Sequence, residues 1–123
     1  MDIWYLAHPV SRDDKYTTEQ NLDHALKIQK ILFEAGIVTV MPWHSYCLTY
    51  GSAEGERLAK CLKMDCQIVK LLGKLILVGH KLSYGMAVEF DALDGEFIDL
   101  IGVPDKHLAE AAHAHVTSFK SNG

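Results

Sequence analysis

Glu89 is the residue that asks most of its surroundings. It lies in HKLSYGMAVEFDAL, residues 80–93, a stretch that begins as a loop, passes Gly85 and becomes a helix. With that helix starting near Tyr84, Met86, Phe90 and Leu93 form its apolar stripe, and Glu89 falls at the stripe's edge. The nearby helix N-terminus favours its charge, and partial burial would hold it in place and tune its pKa. A fixed carboxylate suits nucleophilic or general-base work. The plainer alternative is a solvated glutamate on a helix flank. Ser83 reads as the N-cap of the same helix, or as an anion contact beside the free backbone donors at Gly85, and the two roles are compatible.

Asp65 interrupts a second stripe. Leu58, Cys61, Leu62, Val69 and Leu72 recur at helical spacing, and Asp65 sits among them. A buried carboxylate is costly without a partner, so it needs a hydrogen bond or a cavity. A structural tie to a loop backbone would satisfy it as well as chemistry would. In the loop AHPVSRDD, Tyr5 and His8 flank the start, and Ser11 and Arg12 offer anion donors. No glycine run cradles a phosphate there, so the loop is neither a P-loop nor a dinucleotide fingerprint. Trp43, His44, Tyr46 and Tyr50 could stack on a flat ring, or simply pack as a rim. Of the seven histidines, His113 and His115 form an HxH pair, but two helical positions apart point to different sides. No metal site is expected, and no cofactor.

The remaining properties narrow the class. The chain has 123 residues, 49% of them hydrophobic, which suffices for one domain with its own core. A net charge of −4 argues against nucleic acid as the partner. No apolar run reaches membrane-spanning length, and MDIWYLAHP lacks a signal-peptide pattern. Cys47, Cys61 and Cys66 are odd in number and at no zinc spacing, as expected of reduced thiols in a cytoplasmic protein.

The elements that must position these residues alternate. A strand over 3–7 precedes the loop 8–16, and a helix over 17–35 is capped by Thr17 or Thr18 and ended by Gly36. A strand over 37–41 stops at Pro42, and 43–55 reads as a long polar and aromatic connection. Then come a helix over 56–72, a strand over 74–79, the helix carrying Glu89, a strand over 97–103 and a final helix over about 104–117. This βαβαβαβα order predicts a three-layer α/β/α domain with a four- to five-stranded, mainly parallel sheet of flavodoxin- or Rossmann-like type. Ligands bind such sheets outside the carboxyl ends of the strands, where the loops 8–16, 42–55 and 79–84 gather.

Taken together, YLAHP, Asn21 and Ala25 in NLDHAL, EAGIVTVMPWH with its Pro42 and His44, and SYGMAVEFDAL resemble the nucleoside 2-deoxyribosyltransferase-like superfamily, over roughly residues 3–103. The most specific element is Ser83 six positions before Glu89. The resemblance implies a covalent route at an N-glycosidic bond, with Glu89 as nucleophile and Tyr5 positioning it. Ser83, with Ser11 and Arg12, would hold a 5′-phosphate, and the Trp43–Tyr46 loop would cover the base. Where the family usually has an aspartate before the third strand, this chain has Gly73, so Asp65 or His44 would have to protonate the base. It also implies a small-molecule nucleoside or nucleoside 5′-monophosphate as partner, and a homodimer or larger assembly. There, residues 104–123 of one copy could pack on the next. The rival expectation is a nucleotide-binding module without catalysis, motivated by Gly73.

Overall fold

The computed structural model describes residues 2–51, 54–114 and 118–121. Its sheet has five strands in the order β2-β1-β3-β4-β5, formed by β1 (Ile3–Ala7), β2 (Val38–Val40), β3 (Lys74–Leu77), β4 (Gly95–Asp99) and β5 (Ser118–Lys120). The first four are mutually parallel, and β5 runs antiparallel on β4. This is the doubly wound order whose ligand crevice opens between β1 and β3. Helix α1 (Thr18–Glu34) packs with α5 (Leu108–Ala114), and α3 (Gly55–Leu72) packs with α4 (Tyr84–Ala92). The three-layer α/β/α architecture follows from those two pairings across the sheet. Tyr5, Leu6, Leu75 and Ile76 are fully buried, as the unbroken apolar runs of central parallel strands require.

Local chemistry explains most boundaries. Thr17 closes a capping box at the start of α1: its hydroxyl accepts from the Gln20 N–H at 3.1 Å, and its own N–H donates to Gln20 Oε1 at 2.9 Å. Helix α3 ends at Gly73, which takes the left-handed conformation at φ 63° and donates its N–H to Val69. The neighbouring start of β4 is equally specific. A Cβ on Gly95 would stand 2.2 Å from the Gly73 carbonyl oxygen, and the Glu96 N–H donates to that same oxygen at 2.9 Å. The end of α3 and the start of β4 therefore meet, glycine against glycine, at the amino ends of β3 and β4, away from the cleft described below.

Three boundaries differ from expectation. Residues 42–50 are not an open connection but a helix, α2 (Pro42–Tyr50), with Pro42 in its first turn where a missing N–H costs nothing. β4 begins at Gly95 and ends at Asp99 rather than spanning 97–103. The Gly95 contact makes an apparent loop residue a strand residue, and Ile101 and Gly102 form a turn. The C-terminal segment is a 3₁₀ turn (Asp105–His107), then α5, then β5, in place of the single helix expected over 104–117. Residues 115–117, including His115, lie outside the described residues. Among the described residues, no helix is long and apolar enough to cross a membrane.

Candidate active site

Two buried acids meet at the end of the sheet. Tyr5 is fully buried in β1, and its hydroxyl donates to Glu89 Oε2. Glu89 is only 5% exposed, so the solvated-flank alternative does not hold. Asp65, on α3, is 2% exposed, and its Oδ1 is buried without a hydrogen-bond partner among the described residues. The loop-backbone tie is therefore not what occupies that oxygen. The Tyr5 hydroxyl lies beside both carboxyls. Cys66, next to Asp65, reaches the Val88 carbonyl next to Glu89 through an Sγ contact of 3.7 Å, which ties the two acid-bearing helices together.

Burial dominates the electrostatics. It pushes the Glu89 carboxyl up to about 8, with the Tyr5 hydrogen bond opposing and the Asp65 charge adding. It pushes Asp65 up to about 6, against the stabilising Tyr5 hydroxyl. Desolvated and surrounded by these acids, Tyr5 is held far above the ordinary phenol range, so it stays a proton donor. Two interacting carboxyls with separated pKa values hold one proton between them across neutral pH.

The acids face a cleft of about 400 Å³. Its floor loop contributes His8, Ser11 and Arg12, its second wall Trp43 and Tyr46 from α2, and its far edge Ser83 and Gly85 from α4. Asp65 and Glu89 line it too, while Tyr5 stands behind Glu89 rather than in the lining. His44 is turned away: it is buried, its Nε2–H donates to the Leu22 carbonyl at 3.1 Å, and it does not line the cleft. Gly73 does not line it either.

Each wall is held by its own sequence. Trp43 is anchored by its indole N–H, which donates to the Leu6 carbonyl at 2.8 Å. Ser83 caps α4, its hydroxyl oxygen accepting from the Met86 N–H at 3.3 Å, so its own proton remains to be donated. A Cβ at Gly85 would stand 3.6 Å from Leu62, at ordinary contact distance, so α3 and α4 pack closely there. In the floor loop, Asn21 donates from Nδ2 to the Val10 carbonyl at 3.1 Å and to that of Ser11 at 3.4 Å. Asp13 accepts from the Lys15 and Tyr16 N–H groups, from His80 at 2.7 Å and from Lys81 at 2.9 Å. Those donors, the Tyr16 amide first, hold its carboxyl well below the usual range.

Sequence reasoning missed several lining residues. Arg57 opens α3 at the cleft, where its Nη2 donates to the Tyr50 carbonyl at 3.1 Å. Lys81 and Tyr84 complete the mouth. Leu58, Cys61 and Leu62 read as core from their spacing, but they are half-buried and form the α3 wall. Only the helix at 42–50, invisible as a helix in sequence, could have shown that α3 faces a gap there. No family model, curated protein or solved structure matches the chain.

Proposed function

We propose that the protein cleaves or transfers at the N-glycosidic bond of a nucleoside, deoxynucleoside or their 5′-monophosphates, as a member of the nucleoside 2-deoxyribosyltransferase-like superfamily. The observation that carries the reading is the buried Glu89 carboxyl held by the Tyr5 hydroxyl beside Asp65, facing an aromatic-walled cleft. In the ionised form, a Glu89 oxygen attacks the anomeric carbon. The carbon–nitrogen bond breaks, its electron pair leaves with the base, and Asp65 gives the base nitrogen a proton. Water, or a second base, then attacks the anomeric carbon of the glycosyl ester, frees the Glu89 carboxylate and returns a proton to Asp65. Trp43 and Tyr46 offer flat faces for the base, and Ser83, Ser11 and Arg12 offer donors for a 5′-phosphate. The reading includes a cytoplasmic homo-oligomer that needs no metal or cofactor.

A chromatographic screen tests this. Purified protein and Glu89→Ala are incubated with ribo- and deoxyribonucleosides and their 5′-monophosphates, with and without an acceptor base. Base release by the parent, slowed at least about a thousandfold in Glu89→Ala, is the expected outcome. Release at the parental rate by the variant would sink the assignment. Ligand binding with no turnover by the parent would instead favour a non-catalytic nucleotide-binding module, a reading also in keeping with a Glu89 that is mostly protonated at neutral pH.

A further inference from the structure

Running back from His8 in the cleft floor, three side chains form a line to which the glycosidic chemistry assigns no step. His8 Nδ1 lies 2.6 Å from the Pro9 carbonyl oxygen, His8 Nε2 lies 2.8 Å from His24 Nδ1, and His24 Nε2 lies 2.8 Å from Asp105 Oδ1. The two outer partners, a carbonyl and a carboxylate, only accept. Three hydrogen bonds between two acceptors therefore need three N–H protons on the two rings. Two neutral imidazoles carry only two, which would leave two lone pairs facing each other at one of the contacts. All three contacts are hydrogen bonds only if one of the two rings is an imidazolium.

We propose that His24 is a positioning residue: held as an imidazolium between His8 and Asp105, it fixes the His8 ring and, through it, the floor loop of the cleft. Burial lowers the His8 imidazole to about 4, which leaves the extra proton to His24, the more exposed ring. The floor is set from two sides. A Cβ on Gly79 would come 2.5 Å from Pro9 Cδ, so the end of β3 leaves the His8–Pro9 segment no room on one side. On the other side, His24 and Asn21, three residues apart on α1, hold His8 and the Val10 and Ser11 carbonyls. The charged and titratable groups that act on His8 besides His24 are Asp105 from the 3₁₀ turn and His80 from the loop after β3. His80 is itself bonded to Asp13, which also holds Lys81. Asp105 is thus the only carboxylate in direct contact with the His8–His24 pair among the described residues. The inference concerns how the cleft is held and stands whether or not the chain is a glycosidase.

Ring-nitrogen NMR on the full chain tests it, with Asp105→Asn as the variant, because the amide keeps an acceptor oxygen and removes the charge. At pH 7 the parent is expected to show both His24 nitrogens protonated and only Nδ1 protonated on His8. In Asp105→Asn, His24 loses one proton at the same pH and the Ser11 and Arg12 amide resonances shift. The His44 ring, anchored to Leu22 on the same helix, stays in place as the control for an intact fold. If Asp105→Asn does not fold, a pH titration of the parent gives the second measurement, in which the Ser11 and Arg12 amides must move together with the His24 ring. A neutral His24 in the parent, a His24 still doubly protonated without the Asp105 charge, or floor-loop amides indifferent to its loss would each overturn the proposal.

Discussion

At the scale of single residues, the two acids make opposite demands on pH. A glycosyl-transferring pair must be ionised at Glu89 and protonated at Asp65. The resting molecule favours the reverse, since Glu89 is pushed up to about 8 and Asp65 only to about 6. Both arrangements hold a single proton, and Tyr5, touching Glu89 and adjoining Asp65, is placed to pass it across. Turnover should therefore follow a bell with limbs near pH 6 and near pH 8. Asp65→Asn should lose the bell and leave one ascending limb, set by Glu89 alone. Initial rates from about pH 5 to 10 check this, and an unchanged bell in the variant would show that Asp65 is not the second group. The same shift has a cost in stability. An acid whose folded pKa is raised binds its proton more tightly in the folded state, so stability falls as pH rises from its ordinary value near 4.5 through about 8. Glu89→Gln removes that penalty and still accepts from Tyr5. It should match the parent at about pH 4 and exceed it at about pH 9 by on the order of 5 kcal/mol. Denaturant titrations at the two pH values read the difference, and equal curves at the alkaline one would mean that Glu89 is not desolvated.

At the scale of elements, Gly73 invites a test through its place in the sequence. An acid there would stand just before β3, yet the residue is the left-handed cap of α3 and does not line the cleft. Gly73→Asp should cost about 1 kcal/mol of stability, because aspartate tolerates that conformation only moderately, and leave base release unchanged. A gain in turnover would show that an acid at this position reaches the base after all. The case also shows where sequence is legible. The strands β1, β2 and β3 and the helices α1, α3 and α4 are marked by apolar runs and periodicities, by Thr17 and Ser83 at the caps and by Gly73 at the end of α3. Helix α2 is hidden because Pro42 stops a strand and starts a helix equally well, and its aromatic and polar residues lack a clean stripe. β5 is hidden because three residues carry no period, and their strand state is imposed by β4. Within the cleft, Glu89 and Asp65 stand out as carboxylates on apolar stripes. The placement of His44 behind the wall depends on Leu22, a contact no local pattern encodes.

At the scale of the whole molecule, the cleft lies at the switch point of the sheet, between the ends of β1 and β3, and its walls come from separate helices. A ligand that fits it bridges the floor loop, α2, α3 and α4 and binds the folded form alone. A nucleotide present at about a hundred times its dissociation constant should add about 2.7 kcal/mol of stability, or roughly 8 °C in Tm. A thermal-shift panel of nucleosides and 5′-monophosphates checks this. No shift with any of them would point to a cleft for another kind of compound. The glycine-to-glycine contact between Gly73 and Gly95 adds a mechanical property. It pins the C-terminal end of α3 to the start of β4, away from the two acids. Asp65 lies about 12 Å up α3 from Gly73 and Arg57 about 24 Å, at about 1.5 Å per residue. Any tilt of α3 about that point would displace Asp65 only half as far as Arg57 at the mouth, so the rim has more freedom to adjust than the acid does.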